Sequence, residues 1–504
     1  GGGVSAGEVN RDWPISEKGI AWQLRFWWRL HRIHGPEKIV DAGKLLELEK
    51  ALWGAAGETR PGRRNGSTAF PCKVLIRVHG WRGLELKAVQ ELRRLRNKRG
   101  EFYKRWRWLQ EFVKVSYALF PAIGTTSGDE VTSKPREVAL PTLEALVSVD
   151  LSGLDDPQRK EEVETVKKEV YAAIDWWASF GGLGGRTRRG LGAVKVERLP
   201  AGVADDAVGK AIKHESETRE PAWRSLLGAE GFTIIPPVQE TDIANFGCRR
   251  IVACAQSTSA LDAWKRSIEL LQNFRQKVYF ARDSSYVRNR RGEFDLDSEG
   301  NKIPKPGRSR WPEPDAVRLY ATHHGARHAP RIAESAIWFP RVGFGAPLQV
   351  NFLSDTVAPH YLRNAVRSGC VANLSAEPIP VVIEPEGSSR LASPLILRPL
   401  MEINGNEVFF RPGGLLLPCA HIEDLELVMR PESRTAPDKQ PWPKGYKLSE
   451  KFSLGKGKFF NEPPGQPLPR PLEVVADEQA RAGRRRLENV PIALALFVDW
   501  FEQQ

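Results

Sequence analysis

The chain of 504 residues has few cysteines and no long apolar run, and both absences narrow its class. Its five cysteines (Cys72, Cys248, Cys254, Cys370 and Cys419) are odd in number and scattered. They therefore form neither a disulfide framework nor a zinc-binding spacing. No apolar run reaches the roughly 18 residues that span a membrane, and no secretory signal opens the sequence. We expect a cytoplasmic protein without a membrane segment.

Motifs for nucleotide binding and for hydrolysis are missing as well. A P-loop needs G-x-x-x-x-G-K-[ST], but Arg186 follows Gly185, and Phe180 stands where the first glycine belongs. The helix-to-strand order predicted around this segment is also the reverse of a P-loop or Rossmann turn. No carboxylate cluster suits two-metal hydrolysis, and no nucleophile motif is present. We expect no catalytic residue, no cofactor and no metal.

The most informative segment that is present is a glycine–arginine loop, residues 179–193, with six glycines and three arginines. Glycine permits positive φ and leaves main-chain N–H groups accessible to a ligand. Arginine adds a planar fork of donors suited to phosphate. Helical periodicity at 161–177 precedes the loop, and an extended pattern at 194–196 follows it. A tight turn would by itself account for the glycines. The added arginines favour a loop that binds a polyanion such as a nucleic acid.

Composition agrees with a folded protein that has an anionic partner. Hydrophobic residues make up 41% of the chain, which contains 16 tryptophans, and the length allows two or three domains. The formal net charge of +13 favours a phosphate-rich partner. Charge by itself is a modest signal, since many basic proteins do not bind RNA.

Residues 20–33 predict a helix crowded with arginines and aromatics. Arg25 and Arg29 are four apart and therefore share a face. Two interpretations fit this segment. Either the arginines project toward a phosphate backbone with Trp27 or Trp28 stacking on a base, or the aromatics fill the core and the arginines face solvent. For Trp28 we expect core packing.

Residues 88–114 predict a second basic helix, within an insertion at about 81–115. Its cations, between Arg93 and Arg107, are interleaved with Trp106 and Trp108. Such a helix grips RNA in one interpretation. In the other it is a solvated face whose cations pair with acidic neighbours.

The second half repeats the mixture of strands and helices. Strands are predicted at 232–235, 250–254, 348–352 and 391–399, and an amphipathic helix at 260–275. A polar, basic loop ends in residues 307–315, and a second Phe/Gly/Arg loop at 339–347 echoes the glycine–arginine loop. This echo favours duplication of one α/β unit.

Several motifs together resemble the RAMP superfamily of CRISPR proteins. They are L-R-F-W-W-R at 24–29, A-L-W-G-A-A-G at 51–57, Y-A-L-F-P at 117–121 and W-A-S-F-G-G-L-G-G-R-T-R-R-G-L-G at 177–192. Within the superfamily, the chain most resembles the head subunit of the type III-B (Cmr) effector. Similarity to that subunit's second domain continues in P-G-R-S-R-W-P-E-P-D-A-V-R at 306–318, F-P-R-V-G-F-G-A-P at 339–347 and R-L-A-S-P-L-I-L-R-P at 390–399.

The resemblance implies an α+β fold of two ferredoxin-like, RRM-like (RAMP) domains with helical insertions and a helical C-terminal tail. We expect residues 1–198 to form the first domain, with its N-terminal strand missing from this numbering. A linker at 199–221, a second domain at 222–431 and a Pro/Lys-rich segment with C-terminal helices at 432–504 are expected to follow.

The resemblance also implies a non-catalytic RNA-binding subunit, near the 3′ end of a guide RNA, that helps to capture target RNA. Its expected partners are guide CRISPR RNA, target RNA and neighbouring RAMP subunits of the effector. The predicted RNA-binding residues are Arg25, Trp27, Arg29, Gly182, Gly184, Gly185, Arg186, Arg188, Arg189, Arg308, Arg310, Trp311 and Arg341.

The alternative, from another class of protein, is a metal-independent RAMP endoribonuclease that processes guide-RNA precursors. Such an enzyme uses a histidine as general base, which must lie within hydrogen-bond reach of the 2′-hydroxyl that it deprotonates. The candidate histidines are His31, His34, His323, His324 and His328. The sequence does not place them relative to a substrate, so this alternative stays open here.

Overall fold

The computed structural model describes residues 9–34, 39–55, 72–96, 102–127, 130–151, 160–198, 233–239, 251–255, 259–276, 309–320, 339–350, 381–405, 407–417, 425–431, 476–477, 480–481, 483, 487 and 490–504. The fold is α+β, as predicted. Backbone contacts divide it into two compact units, residues 1–268 with 396–415 and residues 269–395 with 416–504. The boundaries expected from the sequence stay predictions, and the expected linker at 199–221 lies outside the described residues.

Two long helices form the centre of the first unit, and the sequence predicts both. They are α1 (Glu17–His34) and α4 (Lys160–Phe180), which pack against each other. In α4, Val166, Val170 and Ala173 recur at helical spacing and are buried. This apolar stripe fixes the face that α4 turns toward the core.

The remaining elements of the first half connect these two helices. A long antiparallel pair, β1 with β8, places Val78 opposite Val147 and has a bulge between Val78 and Gly80. The order α1–β1–β8–α4 is the helix–strand–strand–helix centre of a β-α-β-β-α-β unit. The elements are α2 (Ala42–Trp53), β1 (Leu75–Arg82), β2 (Leu86–Ala88), β3 (Gln90–Arg96), β4 (Phe102–Trp108), α3 (Ser116–Leu119), β5 (Thr125–Ser127), β6 (Glu130–Ser133), β7 (Glu137–Ala139) and β8 (Glu144–Asp150).

The prediction of a helix over 88–114 is wrong, because β3 and β4 form an antiparallel hairpin there. The physical reason lies in the period of the pattern. In β4, Phe102, Trp106 and Trp108 share one face, with Tyr103 on the other, which is the two-residue repeat of a strand. Aromatic residues also favour strands. A short 3₁₀ helix, Gln110–Val115, covers only the end of the predicted range.

The rest of the first unit contains a three-stranded sheet in the order β11–β15–β14, formed by β11 (Ile251–Ala253), β14 (Leu395–Asn404) and β15 (Glu407–Leu416). A helix, α5 (Ala260–Gln276), follows β11 as predicted, and its residues up to Ile268 belong to this unit. The sheet order matches the first, third and second strands of a ferredoxin-like unit. A short pair, β9 (Glu197–Arg198) with β10 (Thr233–Ile234), is also antiparallel.

The second unit is built around aromatic residues. Phe274 lies 5.2 Å from Phe497 and 6.0 Å from Trp311, measured between ring centres. All residues from Ile492 to Phe501 are buried, so the C-terminal helix belongs to this core. Its elements are α6 (Glu313–Tyr320), α7 (Ile492–Glu502) and the antiparallel sheet β12 (Leu348–Val350), β13 (Val381–Pro385) and β16 (Leu427–Pro431).

Candidate nucleic-acid interface

The stem of the glycine–arginine loop is closed by backbone contacts in the first unit. Gly182 and Ala193 form an antiparallel bridge, and the Leu183 N–H donates to the Gly192 carbonyl at 2.8 Å. Gly192 has φ +67°, and a Cβ there would lie 1.8 Å from the Leu183 carbonyl oxygen. Any side chain at Gly192 therefore breaks the stem. Gly182 serves the same stem, since its own Cβ would lie 2.8 Å from the Gly192 oxygen.

A buried arginine holds both ends of this stem. Arg398, on β14, donates from Nη1 to the Gly181 carbonyl at 2.9 Å and from Nη2 to the Val194 carbonyl at 3.4 Å. Burial lowers the pKa of Arg398 to about 10, so the guanidinium remains protonated at neutral pH. The sequence motif at 390–399 contains Arg398, but nothing in the sequence links it to a loop some 200 positions earlier.

The far side of the loop is held by a tryptophan. Trp264 of α5 donates from Nε1 to the Arg189 carbonyl at 2.7 Å. A Cβ at Gly190 would lie 2.6 Å from the Trp264 ring and 2.9 Å from the Leu397 carbonyl oxygen. The loop therefore has a fixed base and a short 3₁₀ turn at Thr187–Arg189.

The tip of the loop is open. Gly184, Gly185 and Arg186 are exposed. A Cβ at Gly184 or at Gly185 would have no neighbour within 4 Å. Arg186 has φ 59°, an uncommon conformation for a residue other than glycine, and its Nη1 donates to the Ala118 carbonyl at 2.9 Å. The fixed stem thus presents a short segment of accessible main chain, Gly184 and Gly185, beside the Arg186 cation.

Burial dominates the electrostatics of two loop arginines. Arg186 is exposed as a residue, but its guanidinium, which donates to the Ala118 carbonyl, is partly buried. This burial lowers the pKa of Arg186 because it disfavours the charged form, and Tyr117 offsets the effect only in part. The pKa of Arg188 is lowered by burial as well. Both sites therefore carry positive charge that an anionic ligand would stabilise.

Arg25 and Arg29 are placed differently from the expected phosphate contacts. Both donate to Glu49 of α2, whose side chain is 3% exposed. Burial by itself would raise the pKa of Glu49, but hydrogen bonds from Arg29 and Arg25 outweigh it, so the pKa lies below its ordinary value. The two arginines join α1 to α2 in a shared ion pair. A phosphate contact from either competes with that pair.

The base-stacking role expected of Trp27 and Trp311 does not fit this structure, because both rings are buried. Trp27 is 2% exposed and packs beside Trp176 and Phe180. Trp311 is 1% exposed and donates from Nε1 to the Arg275 carbonyl at 3.1 Å. Core packing, the expectation for Trp28, holds for all three. The sequence could not separate the two roles, because aromatic residues at helical spacing are expected both in a packed core and on a surface that stacks on bases.

The cations predicted in the second half do not form an open site in the described residues. Arg341 pairs with the fully buried Glu313 at 3.1 Å, and its guanidinium lies 5.7 Å from the centre of the Trp311 ring. That pair holds the 3₁₀ turn at Pro340–Phe344 against α6. Arg310 lies half-buried just before Trp311. Arg308 lies outside the described residues.

Basic residues face each other across the hairpin β3–β4. The sequence analysis did not predict this arrangement, because it placed a helix there. Its register sets Arg93 opposite Arg105 and Arg94 opposite Lys104. Like charges directly opposite each other destabilise a strand pair. Arg94 lies 4.1 Å from the centre of the Phe102 ring, and Arg93 donates to Glu91 at 2.6 Å. These contacts offset part of the repulsion, but the ribbon stays strongly basic.

The candidate histidines give no assembled catalytic site in the described residues. His31 lies against Trp176, 6.2 Å between ring centres, and His34 ends α1. His323, His324 and His328 lie outside the described residues. Within those residues, no group of three or more His, Cys, Asp and Glu side chains is placed to hold a metal. None of the described helices is both long enough and apolar enough to cross a bilayer.

A comparison with known families supports the resemblance for the first part of the chain. The model of the RAMP superfamily matches residues 1–195. That segment contains α1, the hairpin β3–β4, α4 and the whole glycine–arginine loop, and it is similar to RAMP proteins. No curated protein matches the chain at a significant level.

Proposed function

We propose that the chain is a non-catalytic RNA-binding subunit of a CRISPR RNA-guided effector of the type III-B (Cmr) class. In this proposal it lies at the head of the complex, near the 3′ end of the guide RNA, and helps to capture target RNA. The RAMP match over residues 1–195 supports the CRISPR and RNA-binding part. The motifs shared with the Cmr head subunit support the finer assignment.

The observation that carries the proposal is the construction of the glycine–arginine loop. A stem held by Arg398 presents an accessible tip at Gly184 and Gly185, next to partly buried cations at Arg186 and Arg188. Such a loop binds a backbone of phosphates by charge and by main-chain N–H groups, both of which are indifferent to base sequence. Sequence is then read by pairing between guide and target, as in other RNA-guided systems.

Salt dependence tests this proposal with the full chain. Binding of a fluorescent single-stranded RNA is followed by anisotropy at several KCl concentrations. A plot of log K for RNA binding against log salt concentration has a negative slope, and each phosphate contact on a single strand contributes about 0.7 to its steepness. The Arg186→Ala/Arg188→Ala/Arg189→Ala variant, which loses three contacts, is therefore expected to have a slope shallower by about 2.

A matched control removes cations elsewhere on the first unit. Lys44 lies on α2, and Lys167 and Lys168 lie on α4; the variant Lys44→Ala/Lys167→Ala/Lys168→Ala, which also removes three cations, leaves the slope nearly unchanged. An equal slope for wild type and the loop variant refutes the loop as the phosphate-binding site. No detectable RNA binding by wild type refutes the proposed function itself.

The same RNAs separate binding from cleavage. Guide precursor and target RNA are incubated with the chain, with and without chelator, and run on a denaturing gel. Intact RNA agrees with a non-catalytic role, whereas cleavage that survives the chelator favours the endoribonuclease. The position at the head is tested by crosslinking within the assembled effector, where contact is expected near the 3′ end of the guide.

A further inference from the structure

A small cavity lies beneath the glycine–arginine loop, entirely within the first unit. Its volume is about 120 Å³, and it is partly open. Gln23, Phe26 and Trp27 line it from α1, Phe180 from the end of α4, and Thr187 and Arg188 from the loop. It therefore adjoins the cations assigned above to the phosphate backbone.

The walls of the cavity combine flat apolar surface with polar groups. Phe26 and Phe180 supply rings, while Gln23 and Thr187 supply an amide and a hydroxyl. This combination is typical of a site for a small planar ligand with polar edges. Nucleobases have this character.

One wall also contains a buried donor without a hydrogen-bond partner in the described part of the chain. Trp27 is 2% exposed, and its indole N–H has no hydrogen-bond partner among the described residues. Its Nε1 lies against Gly181, which also lines the cavity, since a Cβ on Gly181 would come within 2.7 Å of it. An unsatisfied buried N–H is costly. The Trp27 nitrogen is closed off from the open space of the cavity, so a ligand would reach it only after a small shift of Trp27 or Gly181.

The size of the cavity fits one ring. An engineered cavity of roughly 150 Å³ in another protein holds a benzene molecule. A volume of about 120 Å³ with an open side therefore admits a single six-membered ring, with larger parts of the ligand left outside.

Arg188 connects the cavity to the backbone site. Its guanidinium lies 5.9 Å from the centre of the Phe26 ring, near the limit of a cation–π contact. A nucleotide whose ring enters the cavity brings its own phosphate close to this cation. The cavity and the loop are thus placed so that one nucleotide would contact both.

We infer that this cavity takes one unstacked base of the bound RNA strand. The inference rests on the proposed function and deepens it, because it makes single-stranded RNA with accessible bases the ligand of this site. A fully paired duplex keeps its bases stacked and offers only phosphates to the loop.

The test compares two ligands on the full chain, an oligouridylate and the matching ribose–phosphate chain without bases. Base stacking and hydrogen bonding in the cavity make wild type bind the oligouridylate roughly tenfold more tightly. A base in a cavity adds no charge, so this ratio stays constant as salt increases. The loss of affinity with salt, in contrast, is shared by both ligands.

Two variants fill the cavity from different elements. Gln23→Phe does so from α1, and Ile396→Phe from β14, since both residues line the cavity. Both variants are expected to bind the two ligands equally. Ala42→Phe, at the exposed start of α2, adds the same ring elsewhere and keeps the tenfold ratio. Circular dichroism shows whether each variant is folded.

The outcomes test the base-binding cavity separately from the proposed RNA-binding function. Equal binding of both ligands by wild type overturns the base site but leaves the phosphate-binding loop standing. A tenfold ratio that persists in folded Gln23→Phe and Ile396→Phe also overturns it, because the base is then bound elsewhere. Absence of binding to either ligand overturns the proposed function as well.

Discussion

Arg398 Nη1 lies 2.9 Å from the carbonyl oxygen of Gly181, which joins a strand near residue 400 to the first residue after α4. Its other donor, Nη2, reaches the carbonyl of Val194. A single guanidinium thus spans the two chain segments between which the glycine–arginine loop emerges. The planar fork is essential for this, because an ammonium group donates from one point.

The Arg398→Lys substitution tests this relationship. The lysine keeps the charge but cannot serve both carbonyls, so one buried acceptor is left unsatisfied at a cost of about 1–3 kcal/mol. We expect the midpoint of urea unfolding to fall and RNA binding to weaken together. Arg136→Lys, which alters an exposed arginine of the same unit, is the control. Unaltered unfolding of Arg398→Lys contradicts the bridging role.

The pair of Arg25 and Arg29 with Glu49 predicts a stability effect. Glu49→Gln leaves two partly exposed cations without their buried carboxylate, so the free energy of unfolding falls by about 3 kcal/mol, the lower end for a buried pair. Urea unfolding at neutral pH measures this. If Glu49→Gln is as stable as wild type, the shared ion pair does not join α1 to α2.

The same pair makes the stability of wild type depend on pH. The folded-state pKa of Glu49 lies below the ordinary value of 4.5, so the unfolded chain takes up a proton first as pH decreases. Its contribution is complete well above 4.5 and is lost as pH falls through the folded-state pKa. Wild type is therefore expected to lose more stability than Glu49→Gln between neutral pH and the acid range, as measured by urea midpoints.

One substitution in the hairpin β3–β4 is expected to raise the stability of the fold and to weaken RNA binding. Arg105→Glu turns the like-charge pair with Arg93 into an ion pair and stabilises the hairpin by a few tenths of a kcal/mol, in the lower range for such pairs. If the ribbon contacts RNA, the same change weakens RNA binding several-fold, because it adds repulsion.

Lys44→Glu on α2 is the control for the hairpin variant, since it makes an equal change in net charge on another exposed element. Thermal unfolding and anisotropy titrations are run on both variants. Equal loss of RNA affinity in the two means that only net charge matters and that the hairpin is a solvated face.

The elements that the sequence predicted best are those with a sustained local pattern. The helical periods of α1, α4 and α5 depend on neighbours three and four positions apart, and the structure places all three as expected. The hairpin β3–β4 was missed because arginine is compatible with a helix. Its aromatics already showed the alternation of a strand.

The candidate site was predicted only in part, for a physical reason. The composition of residues 179–193 reveals a flexible, cationic loop. Which of its glycines pack and which stay open depends on distant partners such as Trp264 and Arg398, which no local pattern names. The same applies to Glu49, whose pairing with Arg25 and Arg29 changes the environment of two predicted phosphate contacts.

The two classes of glycine in the loop give the sharpest test of where RNA approaches. Gly185 lies in open space, so Gly185→Ala leaves the unfolding midpoint unchanged within experimental error. Gly192 has φ +67°, and a Cβ added there would lie only 1.8 Å from the Leu183 carbonyl oxygen. Gly192→Ala therefore destabilises the fold by more than about 1 kcal/mol.

If RNA lies against the tip, the added methyl of Gly185→Ala keeps the phosphates away from the main-chain N–H groups. Its RNA affinity then falls several-fold while its stability does not change. Anisotropy titration and urea unfolding of the same preparation measure the two quantities. A Gly185→Ala variant that binds RNA as tightly as wild type shows that the backbone of the tip is not approached closely, and the contact is then made by the arginine side chains alone.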